Sequence, residues 1–130
     1  MFRAEELVVL ISTDEETKKF QKELNSGTTA LVLLGILGQM SKPMYGYQIA
    51  KLIEANAKDK PIMKLGALYP VLRSLESSGL LESEVEPSVS GPPRRYYRIT
   101  ETGREILERW REIWEQTKAL IDNVMHGGEQ

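Results

Sequence analysis

The chain contains no cysteine in 130 residues. Disulfides, thiolate nucleophiles and cysteine metal sites are therefore excluded. It has one histidine, His126, followed by Gly127 and Gly128 near the end of the sequence, where order is weakest. No Ser-His-Asp set and no histidine-rich metal site can be assembled around that position. Neither a Gly-x-x-x-x-Gly-Lys phosphate loop nor a dinucleotide glycine pattern occurs. Carboxylates are plentiful, but no pair stands apart from solvated faces. The expectation is a protein that is not an enzyme and holds no metal or cofactor. The longest nearly pure apolar run, Ala30 to Leu37, falls well short of the ~18 residues of a membrane span. Glu5 and Glu6 follow Arg3 closely and leave no apolar signal-peptide core there. A soluble cytoplasmic protein with no membrane partner is expected.

What is present is ordinary globular composition, 41% hydrophobic and 28% charged, at about the length of one domain. Seventeen basic residues face nineteen acidic ones, a net charge of −2. There is no overall basic coat, so any nucleic-acid binding must come from a local patch. Such a patch exists. Residues 42–98 hold nine basic and six acidic residues, net +3, while 1–27 carry −2 and 101–130 carry −3. All five tyrosines (Tyr45, Tyr47, Tyr69, Tyr96, Tyr97) lie in that basic middle. Trp110 and Trp114 lie in the C-terminal stretch, and Phe2 and Phe20 in the N-terminal one.

Periodicity and punctuation predict helix, helix, helix, hairpin, helix. Leu7 to Ile11 is an apolar run that suits strand or helix equally. Thr13 with Glu16 forms a capping box, and Asn25-Ser26-Gly27 a stop, predicting a helix over 14–24. Thr28 to Gln39 is the most apolar segment and predicts a buried helix. Tyr45 to Ala57 places Ile49, Leu52 and Ile53 on one face of an amphipathic helix. Residues 58–65 form a polar connection. Gly66 opens a third helix with Leu68, Leu72 and Leu75 inward and Pro70 in its first turn. Gly79 stops it. Leu81 to Glu86 alternates apolar and acidic residues as a half-exposed strand. Pro87 to Pro93 is a turn, and Arg94 to Ile99 a second strand. Thr100 caps a last helix.

Three helices followed by a hairpin with a basic second strand is the order of a winged helix-turn-helix. The fold class expected is mainly α with a small β-hairpin, plus a C-terminal helix. In such a unit one helix enters the major groove, and its N-terminal residues reach base edges. The hairpin lies along phosphates or in the minor groove. Lys64, Tyr69 and Arg73 fall around the candidate recognition helix; Arg94, Arg95 and Arg98 fall on the wing.

The residues themselves resemble the PadR family of transcriptional regulators. The resemblance is carried by Tyr45-Gly46-Tyr47-Gln48-Ile49, by Gly66-Ala67-Leu68-Tyr69-Pro70-Val71-Leu72, by Leu75-Glu76-Ser77-Ser78-Gly79-Leu80, and by Gly91-Pro92-Pro93-Arg94-Arg95-Tyr96-Tyr97-Arg98-Ile99-Thr100. It covers roughly two thirds of the chain, from Leu31 to about Leu120. It implies a repressor that binds a palindromic DNA operator as a homodimer, with DNA contacts among Tyr45, Lys64, Gly66, Ala67, Tyr69, Arg73, Arg94, Arg95 and Arg98. The family often has His at Tyr45 and hydroxyl residues at Lys64 and Ala67, so the usual contacts there are altered. The single C-terminal helix matches the shorter subgroup. The implied division is an extension at 1–27, a winged helix at 28–100, a dimerisation helix at 101–125 and a flexible tail at 126–130.

The last helix carries its own signal. Leu107, Trp114 and Ile121 are seven apart, as are Trp110, Thr117 and Val124, and Ile106, Ile113 and Leu120. Written as heptad positions, these nine form a stripe of about two and a half heptads. Part of it could be buried within one chain. Its width favours self-association, since an exposed stripe is an aggregation hazard. Trp110 and Trp114 admit two readings, interface packing or a stacking platform for a small flat aromatic effector. The rival to DNA binding is a winged helix used as a protein-interaction adaptor. That rival calls for an acidic or apolar recognition helix, which this sequence lacks.

Overall fold

The computed structural model describes residues 3–57 and 63–127. Its elements run α1 (Ala4–Gln39), β1 (Met44–Tyr45), α2 (Gly46–Asn56), α3 (Leu65–Ser77), β2 (Leu81–Glu86), β3 (Arg94–Ile99) and α4 (Glu101–Met125). The three strands form one antiparallel sheet in the order β1-β3-β2.

The N-terminal region differs from the sequence expectation. α1 is one helix of 36 residues. It takes in Leu7–Ile11, starts well before the Thr13–Glu16 capping box, and runs through Asn25-Ser26-Gly27 without a stop. The separate helices expected at 14–24 and 28–39 are one, and no break separates residues 27 and 28. Side chains bond along the helix there. Gln21 Nε2 donates to Asn25 Oδ1 at 2.8 Å, and the hydroxyls of Thr28 and Thr29 donate back to the carbonyls of Leu24 and Asn25. Beyond the helix's own backbone, no atom of the described residues comes within 4 Å of where a Cβ on Gly27 would stand, so nothing there crowds the helix. A glycine costs a helix only about 1 kcal/mol relative to alanine. The deeply buried Leu33, Leu34 and Leu37 anchor this helix beyond it.

Those three leucines form the centre of the core. Ile49 and Ile53 of α2 and Leu68, Leu72 and Leu75 of α3 pack on them, and Leu81, Tyr97 and Ile99 of the sheet close one side. α3 is amphipathic as expected, but it opens at Leu65 and not at Gly66. Pro70 therefore lies in the second turn, not the first. It removes the amide that would have bonded the Gly66 carbonyl. The helix ends in a Schellman turn. Gly79 takes φ +81°, its amide donates to Glu76 O, and Leu80 N donates to Leu75 O, each at 2.9 Å.

The hairpin is as expected, with β2 and β3 in the register Leu81↔Ile99 to Glu86↔Arg94. The sheet has a third strand that the sequence did not announce. Met44 and Tyr45 pair with Tyr97 and Tyr96. The second helix accordingly starts at Gly46, with Tyr45 as its N-cap. Two residues are too few to show a strand period, so pairing decided this element. Part of the polar connection, 58–62, lies outside the described residues, as do 128–130 of the tail.

α4 is capped as predicted. Thr100 Oγ1 accepts from Gly103 N at 3.0 Å and donates to Gly79 O at 2.7 Å. Its first two turns pack on the core through Gly103 and Leu107. Leu107 is buried, and a Cβ added at Gly38 would stand 2.9 Å from the Leu107 side chain. Arg104 Nη1 donates to Gly38 O at 3.1 Å, placing a cation at the carbonyl end of α1, where the helix dipole favours it. Among the described residues no helix is long and apolar enough to cross a membrane.

Candidate nucleic-acid interface

The outer face of α3 is built by the same spacing that buries its leucines. With Leu68, Leu72 and Leu75 inward, Lys64, Gly66, Ala67, Tyr69 and Arg73 are exposed. Lys64 is the N-cap of α3, so its charge stands at the start of the helix. A Cβ built at Gly66 would meet no atom within 4 Å among the described residues; the first turn is open to close approach. Tyr69 has a second task. A Cβ built on Gly46 would lie 2.7 Å from the Tyr69 hydroxyl oxygen and 2.8 Å from its ring. The tyrosine rests on the first turn of α2 and sets how closely the two helices meet.

The wing arginines differ in their surroundings. Arg95 lies on the sheet face that carries Tyr97. Its Nη1 donates to Ser83 Oγ at 2.9 Å, and that hydroxyl donates to Glu76 Oε2 at 2.6 Å. This chain of bonds ties the wing to the C-terminal half of α3. Tyr97, buried beside it, has its phenol pKa raised, chiefly by burial and then by the Glu76 carboxylate. Arg98 lies on the opposite face, where its Nε meets Glu82 Oε1 at 2.6 Å in an exposed ion pair. Arg94 shares that face but makes no ion pair among the described residues. Its guanidinium carbon lies 4.6 Å from the centroid of the Tyr45 ring.

Tyr45 is half-buried at the junction of β1 and α2. Its ring meets Tyr96 edge-on at 5.3 Å and stacks with Tyr47 at 6.4 Å. Lys51 Nζ lies 5.3 Å from the Tyr47 ring and 3.6 Å from Glu54 Oε2. Its pKa is raised, first by the Tyr47 hydroxyl and then by the Glu54 charge. Sequence reasoning passed over Tyr47, Lys51 and Ser83. The clustering of all tyrosines in the basic segment was the one signal available.

The apolar stripe of α4 divides in two. Ile106, Leu107 and Trp110 pack on this chain's own core. Ile113, Trp114, Thr117, Leu120, Ile121 and Val124 are exposed, with Leu120 at 64% and Val124 at 66%. An open groove of about 570 Å³ runs between the outer half of α4 and α1. Trp110, Ile113, Trp114 and Ile121 line one wall; Phe20, Leu24 and Leu31 line the other. Phe20 and Leu24 fall in the segment expected as a separate helix over 14–24. Only the continuity of α1 brings them against α4. Among the described residues there is no cluster of metal-ligating side chains.

The sequence profile of the Transcriptional regulator PadR-like family matches residues 33–109, more than half of the chain. The chain belongs to the PadR-like family of transcriptional regulators. A PadR family regulator from Eggerthella lenta superposes with a TM-score of 0.65 at 34% identity, covering 89% of this chain and 95% of that one. A transcriptional regulator from Clostridium thermocellum gives 0.68 at 29% identity, with coverages of 78% and 93%. In sequence, a transcriptional regulator of Mycobacterium tuberculosis is 47% identical over 62 residues, 57% of its own length. The helical fold with its small sheet is thus the PadR winged helix. The matched region stops short on both sides. Most of α1 precedes it, and α4 beyond Arg109 follows it.

Proposed function

We propose that this PadR-like regulator is a homodimeric repressor that binds a palindromic DNA operator. The observation that carries the reading is the joint placement of α3 and the wing. The exposed side of α3 presents Lys64, Tyr69 and Arg73, and the Glu76–Ser83–Arg95 chain holds the basic strand beside that helix. α3 is the element for the major groove, with Gly66, Ala67 and Tyr69 nearest the base edges, and Arg94 and Arg95 take phosphates. Arg98 contributes less, because Glu82 neutralises it. Tyr45 belongs to the same surface through Arg94.

One such unit neutralises few phosphates, and affinity scales with that number. Two copies double the contacts. The exposed half of α4, from Ile113 to Val124, is the surface for the second copy, with Ile106, Leu107 and Trp110 rooting it in the core. Related by a two-fold axis, the recognition helices stand about one DNA turn, roughly 34–36 Å, or a multiple of it, apart. The groove beside Trp110 and Trp114 suits a flat aromatic effector, because apolar walls with two indoles favour stacking. Occupancy there would shift the α4 pairing and hence the spacing of the two DNA-binding surfaces.

The test is selection of bound sequences from a random DNA pool, followed by titration of the product across salt. A palindromic product, affinity that falls steeply with salt, and a lowered transcript level from a promoter carrying that sequence are expected. Absence of DNA binding even at low salt would overturn the reading in favour of the protein-interaction adaptor.

A further inference from the structure

Of the three wing arginines, Arg94 alone makes neither a hydrogen bond nor an ion pair among the described residues. Arg98 is paired with Glu82, and Arg95 donates into the Ser83–Glu76 chain. Arg94 instead lies over the Tyr45 ring at 4.6 Å. The two ways of holding an arginine differ in consequence. A carboxylate orders the guanidinium and cancels its charge. An aromatic face also orders it but leaves the charge and the N–H groups free for an incoming anion. The ring in turn is fixed. Tyr45 sits in the sheet opposite Tyr96, which it meets edge-on, and its other neighbour is the stacked ring of Tyr47.

We propose that Tyr45 is a positioning residue for DNA binding: it holds Arg94 in place, charge intact, for a backbone phosphate, and makes no contact with DNA itself. This rests on the DNA-binding reading above. A long side chain that is free in solution loses rotamer freedom on binding, and that loss weakens affinity. A side chain already resting on a ring has lost part of that freedom in the free protein. Losing part of that freedom beforehand corresponds to a factor of about two to five in affinity for each wing. In a dimer that uses both wings the factor applies twice. The hydroxyl of Tyr45 has no part in this, so the ring alone suffices.

The experiment uses the full-length protein and a random-sequence duplex, with affinity measured across salt for the parent, Tyr45→Leu, Tyr45→Phe, Arg94→Ala and Tyr45→Leu combined with Arg94→Ala. Tyr45→Leu is expected to weaken binding about two- to five-fold per wing, and Tyr45→Phe to restore parent affinity. In the Arg94→Ala background the leucine change is expected to do nothing further. An equal loss in both backgrounds would overturn the proposal, since Tyr45 would then act independently of Arg94. So would a Tyr45→Phe variant as weak as Tyr45→Leu. A DNA-free measurement separates this proposal from the functional reading. The Arg94 Cδ protons should carry an upfield ring-current shift in the NMR spectrum of the parent, absent in Tyr45→Leu. If the shift is present and the parent binds no DNA, the DNA reading fails, and the role of Tyr45 in binding fails with it. If the shift is absent, the platform does not exist, whatever the affinity.

Discussion

Two glycine-to-alanine substitutions in helices of this chain should change stability in opposite directions. Gly103 lies in the first turn of α4 and is buried. A Cβ there would collide with the Leu80 carbonyl oxygen and stand 2.8 Å from Ile99 Cγ1. The ring of contacts has no slack. The same Leu80 carbonyl accepts the Thr100 amide at 3.1 Å, and the Gly103 amide donates to the Thr100 hydroxyl at 3.0 Å. A side chain could rotate aside, but a bonded main-chain carbonyl cannot. Overpacking of this kind costs about 1–3 kcal/mol, and stretching the cap bonds adds about 1 kcal/mol. Against this stands a helix-propensity gain of at most about 1 kcal/mol. Gly103→Ala should therefore lose about 1–3 kcal/mol. Gly27 lies inside α1, and beyond the helix's own backbone no atom of the described residues comes within 4 Å of its added Cβ. Only the propensity term operates there, and Gly27→Ala should gain about 1 kcal/mol. Urea unfolding followed by circular dichroism and by tryptophan fluorescence measures both variants. Protein concentration must be held fixed, because self-association adds to apparent stability. With slopes of about 1–3 kcal/mol per molar urea, the two midpoints should separate by roughly 1–4 M at unchanged slope. A Gly103→Ala protein as stable as the parent would refute the packing of α4 against the Leu80 turn.

Ile113→Glu combined with Leu120→Glu places carboxylates on the exposed apolar half of α4; sedimentation should show a monomer, or the protein should become insoluble, and operator binding should be lost. A parent that sediments as a monomer at micromolar concentration with full DNA affinity would contradict the dimer. Arg94→Ala with Arg95→Ala should weaken binding to all duplexes alike and reduce the salt slope by about one for each phosphate no longer neutralised. Spectrophotometric titration of the tyrosines should show one late component that Tyr97→Phe removes, because burial raises the Tyr97 pKa above the ordinary phenol value. The sign for stability follows. The neutral phenol is favoured in the folded state, so its contribution is complete below the unfolded pKa of about 10 and is lost as pH rises from there through the folded value. The alkaline fall in stability should accordingly be shallower in Tyr97→Phe.

Local chemistry made much of this protein legible from its sequence. The leucine spacing of α3, the alternation of β2, the glycine stop at Gly79 and the Thr100 cap each depend on residues close in sequence. The motifs around Tyr45, Gly66, Leu75 and Gly91 carried the family, and the heptad stripe of α4 was visible as a repeat. Other features required distant parts of the chain to meet. The stop signal at Asn25-Ser26-Gly27 was overridden because a helix already anchored by Leu33, Leu34 and Leu37 loses little by continuing through one glycine. β1 exists only because β3 offers two residues an edge to pair with. The fates of the wing arginines were set across strands, where register put Glu82 opposite Arg98 and Tyr45 opposite Tyr96. Sequence determines which side chains a strand or helix can present, since the periods of two and 3.6 are properties of the backbone. Which of those side chains are neutralised, buried or left free is decided by what lies opposite, and that is a property of the folded chain alone.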